Sequence, residues 1–344
     1  MERTQTRKKG TLKPVLAPLR SRCFQLIVLC IALGIVIYLI SPNFLARGNI
    51  SNIMRGLVVS GIMIVAVGPL LAGGGIDLAA SAEATLGSIL FVNLTLHTGI
   101  PWPVCLIIAM IGGGVFGLIN VFLVNVLNFH AFIATIGMTS VYLGFSQMWT
   151  GMFEVMIRSD SIINLGTARV LNQWVPVLFI FTVALIALYV YIMANTRFGR
   201  SIYMVGGNQQ AARLAGLNPK KVRGILFVNS GVMAVLAGCV WSMQARMAHA
   251  TSLSGSMPNF TALTAVIIGG VSFMGGSGTL AAGFFGLLLV RMFDNGLVIA
   301  GFQPYINTAA QGMILIIALI VDSIGVMRQR RALIAAAMAT IDKS

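Results

Sequence analysis

Acidic side chains are scarce in this sequence: eight Asp and Glu stand among 344 residues, and charged residues of both signs make up only 9%. Water-soluble domains carry about 25% charged residues, so this composition excludes a soluble globular protein. Lysines are few as well, at positions 8, 9, 13, 220, 221 and 343. None follows a phosphate-cradling loop and no G-x4-G-K-[ST] pattern occurs, so ATP must bind elsewhere than on this chain. The four cysteines, Cys23, Cys30, Cys105 and Cys239, lie in apolar runs and form no C-x-x-C pair. They read as packing thiols, not as a disulfide or metal framework. His97, His130 and His249 are far apart in sequence, which argues against a metal cluster. Nucleophile elbows and acid-rich metal motifs are missing too, so an integral membrane enzyme has no evident catalytic group here.

Apolar residues are abundant, at 58% of the chain. A helix needs about 20 mainly apolar residues to cross a bilayer, and only helices or closed barrels satisfy their backbone there. The runs at 24–41, 53–72, 78–97, 102–126, 131–150, 174–194, 224–246, 259–274, 279–293 and 305–326 lack the period-two alternation of a barrel. The expectation is an all-α polytopic membrane protein of about ten transmembrane helices, some broken by glycine. No small-x-small site follows the first run, which therefore reads as an uncleaved span. Residues 1–23 form a basic tail, 24–326 the membrane domain, and 327–344 a second tail.

Charge orients the chain. With ten spans, seventeen of the 23 Lys and Arg fall in segments on one side, in 1–23, 195–223 and 327–344. The positive-inside rule then places both termini in the cytoplasm of a bacterial cell membrane. The net charge of +15 sits in these short segments and not in a soluble domain, so no nucleic-acid surface is expected. Trp102, Trp149, Trp174 and Trp241 lie near span ends and read as interfacial anchors facing membrane lipid. The longest outer loop, 151–173, reads equally as a solvated connector or as a docking surface.

Residues 195–223 form a basic island without an acid, carrying Arg197, Arg200, Arg213, Lys220, Lys221 and Arg223. Its middle, Gln209 to Leu217, has the composition of a short amphipathic helix. Held at the cytoplasmic surface, such a helix is placed to touch a soluble partner.

Two glycine clusters interrupt the apolar runs. One is Gly73-Gly74-Gly75-Ile76-Asp77; the other runs from Gly269 and Gly270 to Gly275, Gly276 and Gly278. Both are too flexible for uninterrupted helix, and such breaks occur where freed backbone is buried or lines a wet cavity. Asp77 follows three glycines, where its carboxylate can cap a new helix or meet a solute. Glu83 sits in a small, apolar run and reads as part of a polar pathway, a pair across a subunit interface, or a buried structural acid. Arg291 and Asp294 stand at i, i+3 and can pair.

Six motifs in order then resemble one family. They are Pro42-Asn43-Phe44-Leu45 with Asn49-Ile50-Ser51-Asn52-Ile53; Gly74-Gly75-Ile76-Asp77-Leu78; Phe132-Ile133-Ala134-Thr135-Ile136-Gly137; Thr196-Arg197-Phe198-Gly199-Arg200 with Gly206-Gly207-Asn208 and Ala211-Ala212-Arg213-Leu214-Ala215-Gly216; Ile268-Gly269-Gly270-Val271-Ser272 with Gly275-Gly276-Ser277-Gly278-Thr279; and Asn295-Gly296-Leu297. From about Pro42 to Asp322 the chain resembles the membrane permease subunit of ribose-type, carbohydrate ABC importers.

The resemblance implies two permease subunits, identical or not, forming a pore. It implies cytoplasmic ABC ATPase subunits that bind and hydrolyse the ATP, and an external or periplasmic solute-binding protein that delivers a sugar. It also implies a coupling role for Gln210, Ala211, Ala212 and Gly216, which match the EAA-x3-G loop of importer permeases except that Gln stands for Glu. Gly74, Gly75, Asp77, Glu83, Gly269, Gly270, Gly275, Gly276 and Gly278 would lie along the translocation pathway or at its helix breaks. The chain departs from the family where Ala79-Ala80-Ser81-Ala82-Glu83 replaces Ser-Val-Gly-Ser and where Ala131 replaces Pro, so the solute is left open. The alternatives are an ion-coupled secondary transporter using Asp77 and Glu83, or an ABC permease for nucleosides or branched-chain amino acids.

Overall fold

The computed structural model describes residues 21–253 and 258–341. The described residues hold thirteen α-helices and four two-residue strands. In chain order the helices are α1 (Arg22–Ile40), α2 (Arg47–Ala72), α3 (Ala80–His97), α4 (Trp102–Val121), α5 (Ala131–Thr150), α6 (Asp160–Thr167), α7 (Val177–Asn195), α8 (Arg197–Gly207), α9 (Gln209–Leu214), α10 (Pro219–Ala245), α11 (Pro258–Ile268), α12 (Leu280–Ile299) and α13 (Pro304–Ile341). The expected basic tail lies outside the described residues up to position 20.

Each of the ten expected spans overlaps a helix, and α6, α8 and α9 fall between them. Among the described residues, seven helices are long and apolar enough to cross a membrane: α1, α2, α4 with the single π-turn Phe122–Val126 that prolongs it, α7, α10, α12 and α13. The 18-residue α3 and 20-residue α5 have the length but carry more polar residues. The 259–274 span is corrected: α11 has 11 residues and stops at Ile268, so it rises only about 16 Å of a roughly 30 Å core. Helix α13 continues to Ile341, into the stretch read as the C-terminal tail.

The centre of the molecule is α2 and α10, both buried over most of their length. Around α10 pack α4, α3 and α2; around α2 pack α11, α7 and α12. The α4–α10 contact is close because glycines line it. A Cβ on Gly231 would fall 2.2 Å from the Gly113 carbonyl oxygen, and one on Gly117 would fall 2.5 Å from that of Phe227. In a bilayer apolar burial no longer drives helices together, so close van der Waals packing of small residues takes over. The same reasoning permits α1, α5 and α13 to leave Leu39, Met148 and Ile317 exposed.

The face opposite the basic loop is covered by an ordered layer. Strand β1 (Val155–Met156) pairs antiparallel with β4 (Met247–Ala248), and β2 (Arg169–Val170) with β3 (Val175–Pro176). Helix α6 lies on the end of α10, where a Cβ on Gly166 would strike the Met243 carbonyl oxygen at 2.0 Å. The loop 151–173 is thus pinned to the helix ends, with Phe153 and Leu171 turned outward.

Candidate functional site

The two glycine clusters are helix ends, not breaks within continuous helices. In α2 the Gly75 N–H bonds the Leu70 carbonyl and the Gly74 N–H that of Leu71, with Gly74 at φ +74°. In α11 the Val271 N–H reaches Val266 and the Gly270 N–H reaches Ile267, with Gly270 at φ +88°. Both are Schellman closures, whose left-handed residue favours glycine. Gly269 packs α11 on α12, since its Cβ would lie 2.4 Å from the Gly283 nitrogen. Gly278, at φ +105°, folds the turn back on Val271.

Helix α8 brings these two ends together. Thr196 caps it, its Oγ1 accepting the Gly199 N–H at 3.0 Å, and its Gly206–Gly207 end runs between the glycine turns. A Cβ on Gly206 would sit 2.0 Å from the Ala72 carbonyl oxygen and 2.6 Å from the Gly276 nitrogen. The Gly276 N–H itself donates to the Ala72 carbonyl at 2.8 Å. A Cβ on Gly275 would come within 2.8 Å of Gly74, and one on Gly276 within 2.5 Å of the Gly207 Cα. Three segments distant in sequence therefore meet backbone to backbone, which only residues without side chains allow.

Immediately beyond the junction, Asn208 caps α9, its Oδ1 accepting the N–H groups of Gln210 at 2.9 Å and Ala211 at 3.0 Å. Helix α9 closes as α2 and α11 do: the Leu217 N–H reaches the Ala212 carbonyl, and Gly216 holds φ +82°. Gln210 and Ala211 are exposed. Ala212 is corrected from the expected docking face, because it is 1% exposed and packs into the chain. The outward apolar group is Leu214, 91% exposed, which the motif comparison did not single out. Lys220 anchors the far end of the loop, donating to the Asn125 carbonyl at 2.8 Å and to Asn128 Oδ1 at 3.2 Å.

The acids lie deeper. Asp77 is fully buried; its Oδ1 accepts the Ala79 N–H at 3.0 Å and its Oδ2 the Ser230 hydroxyl at 2.7 Å. It secures the entry to α3 and ties that entry to α10. Glu83 is also fully buried and accepts from Asn120 Nδ2 at 2.9 Å, while its Oε2 and Asn120 Oδ1 find no partner among the described residues. Of the three readings open for Glu83, the buried structural acid is the one that burial within one chain fits. Asn259 of α11 completes the ring, donating to the Leu78 carbonyl at 3.1 Å and accepting from Ser81 Oγ at 2.7 Å. Ser230, Asn120 and Asn259 carry no local signature, since each is an ordinary polar residue on another helix.

Arg291 and Asp294 stand apart from this cluster. The Arg291 Nη1 and Asp294 Oδ2 are 3.7 Å apart; Arg291 Nη2 donates to Ser60, and Gln311 donates to the same Asp294 oxygen, while Oδ1 finds no partner among the described residues. Asn49 and Asn295 exchange hydrogen bonds beside them, at 2.9 and 2.7 Å.

Comparison with known proteins meets this geometry. Residues 49–319 match the family model described as branched-chain amino acid transport system / permease component. The chain is similar to the ribose import permease protein of Escherichia coli (strain K12), 31% identical over 87% of this chain and 92% of that protein. It is similar to the galactose/methyl galactoside import permease protein of Haemophilus influenzae, 31% identical over 86% of this chain and 92% of that protein. It is also similar to the D-allose transport system permease protein of Escherichia coli (strain K12), 33% identical over 82% and 86%. No solved structure matches the chain.

Proposed function

This chain belongs to the branched-chain amino acid transport system / permease component family, as a carbohydrate-type ABC importer permease, and on that premise we propose that it passes a sugar or sugar-like solute inward by alternating access, driven by separate ATPase subunits. It is a multi-pass membrane protein of the cell inner membrane and a transport component, not an enzyme. In this reading both termini and the loop 195–223 face the cytoplasm, ten helices span or enter the bilayer, and ATP is held by the partner subunit. A solute-binding protein docks on the outer layer built by α6 and the strand pairs. A second permease copy or homologue completes the pore.

One observation carries the coupling: α8 is wedged by Gly206 and Gly207 between the ends of α2 and α11, and continues through Asn208 into α9. A force on α9 acts on those two helix ends without a soft side chain between. Gln210, Ala211 and Leu214 form the surface offered to the ATPase; Ala212 and Gly216 give that surface its shape. Asp77 and Glu83 hold α3 against α10 and α4, and so keep the moving helix ends in register with the core.

Leu214→Asp tests the coupling. Removing a desolvated apolar side chain weakens an interface by about 1–2 kcal/mol, roughly 5- to 30-fold in affinity. In proteoliposomes containing the permease, its ATPase and its binding protein, ATP-driven uptake should fall by that order while the variant still inserts. The isolated chain should hydrolyse no ATP. Undiminished uptake by Leu214→Asp would remove α9 from the drive path.

A further inference from the structure

Glu83 and Asn120 join α3 to α4 inside the bundle, and their hydrogen bonding is one hydrogen short. Both side chains are fully buried. Asn120 Nδ2 donates to Glu83 Oε1 at 2.9 Å. The other atom of each group, Glu83 Oε2 and Asn120 Oδ1, has no partner among the described residues. A carboxylate oxygen and an amide oxygen both accept, so neither satisfies the other. Turning the amide over does not help, because it would set Asn120 Oδ1 against Glu83 Oε1. The hydroxyls of the same helix are spent. That of Ser81 goes to Asn259 Oδ1, that of Thr85 to the Ser81 carbonyl, and that of Ser88 to the Thr85 carbonyl.

No cation answers the carboxylate either. Arg291–Asp294 is the one ion pair among the described residues, and no three His, Cys, Asp or Glu gather there to hold a metal ion. Asp77 is a second acid; Tyr142 of α5 donates to the Phe116 carbonyl at 3.2 Å, and Cys239 of α10 to that of Gly87 at 3.9 Å. Lys220, Lys221 and Arg223 stand at the start of α10, where Arg223 lies seven residues, about 10 Å, before the Ser230 that meets Asp77. Arg55 of α2 lies 17 residues, about 25 Å, from the end that leads to Asp77. A buried charge without a partner is costly, and a buried acceptor without a donor is rare.

We propose that Glu83 is held as the neutral carboxylic acid, and that Oε2 donates its hydrogen to Asn120 Oδ1. Acid and amide then close a ring of two opposed hydrogen bonds, and every polar atom of the pair is satisfied. Asp77 needs no such hydrogen, since each of its oxygens already accepts one. The surroundings suit an uncharged pair. One turn away, a cavity of about 650 Å³ between α3, α4 and α5 is lined by apolar and aromatic side chains, among them Leu86, Phe116, Ile119 and Tyr142. It offers an ion no polar route to Glu83. Glu83 is thus a positioning residue. It fixes α3 against α4 beside the entry that Asp77 secures, and its second oxygen is occupied and not free to carry an ion.

Infrared spectra of the full chain in nanodiscs at neutral pH test this, because an un-ionised carboxylic acid absorbs apart from a carboxylate. The wild type should show an acid carbonyl band that Glu83→Gln removes. Asn120→Leu should shift that band, since the acid loses its acceptor. Glu83→Gln puts an N–H where the O–H stood, so the melting temperature and ATP-driven uptake should stay at the wild-type level. Glu83→Ala, which empties the ring, should lower the melting temperature. No acid band in the wild type, or a band that Glu83→Gln leaves unchanged, would show Glu83 ionised and overturn the proposal. Misfolding or lost uptake in Glu83→Gln would do the same, as would a melting temperature that sodium raises in the wild type and not in that variant; these would put a needed charge or a cation at Oε2. An unchanged melting temperature in Glu83→Ala would deny the pair its positioning role. The spectra read the hydrogen without transport, so they stand or fall apart from the permease reading.

Discussion

Gly206 and Gly207 are neighbours in sequence with opposite tolerances. A methyl on Gly206 meets backbone of α2 and of the glycine turn, whereas the nearest atom to one on Gly207 is 3.8 Å away. Backbone cannot rotate aside as a side chain does, and overpacking of this kind costs about 1–3 kcal/mol. Gly206→Ala should therefore lower the melting temperature of the purified protein and depress uptake, while Gly207→Ala should change stability by less than about 0.5 kcal/mol. Equal melting curves for the two variants would show that the junction yields. Asp77 belongs to the same scale. Three glycines before an acid marked it in the sequence; its Oδ1 accepts the Ala79 N–H in the turn just before α3, a helix whose N-cap makes no side-chain bond of its own. Its second partner, Ser230, lies 153 positions away, and no local pattern points to it. The Glu83–Asn120 bond, 37 positions apart, was equally hidden.

At the scale of elements, the basic island divides into two helices where composition suggested one. Helix α9 lies within Gln209 to Leu217 as expected, but α8 was missed. Its buried face, Gly199, Ser201, Ile202 and Val205, has only two large apolar side chains, too short a run to stand out beside the spans. Four helix ends use the same closure: Gly74, Gly216, Gly270 and Gly301 all hold φ between +74° and +88°. The glycine after α9 is thus required by the turn itself. For a residue with a Cβ the left-handed region costs about 1–2 kcal/mol, less for Asn. Gly216→Ala should loosen α9, seen as faster amide hydrogen exchange over 209–217, and Gly216→Asn should restore most of the protection. Slow exchange in the Ala variant would mean that tertiary contacts alone hold α9. Among the spans, α11 ends early for the same reason, since Gly270 closes it five residues before the apolar run subsides.

For the whole molecule, the charge asymmetry and the contacts bear on a common face. The segments around 74, 128, 207 and 276 meet on the face that carries the basic loop, joined by the glycine junction and by the Lys220 bonds to 125 and 128. Single cysteines at Gln210 and Leu214 in intact cells should react with a membrane-permeant maleimide and resist an impermeant one. Reaction with the impermeant reagent would put the loop outside and end the ATPase-coupling account. The outer layer, by contrast, had no readable form in the sequence. Its strands are two residues long, and β1 pairs with β4 across some ninety residues.

The chain's apolar runs, their lengths and the clustering of its cations determined a helical membrane protein with a basic face, because hydrogen bonding in lipid and charge at its borders act on local sequence. Tertiary structure alone decided which glycines touch, which polar residues meet the buried acids, and that Leu214 and not Ala212 points outward. Those are matters of which helix lies against which, and they depend on shape summed over the whole packed bundle.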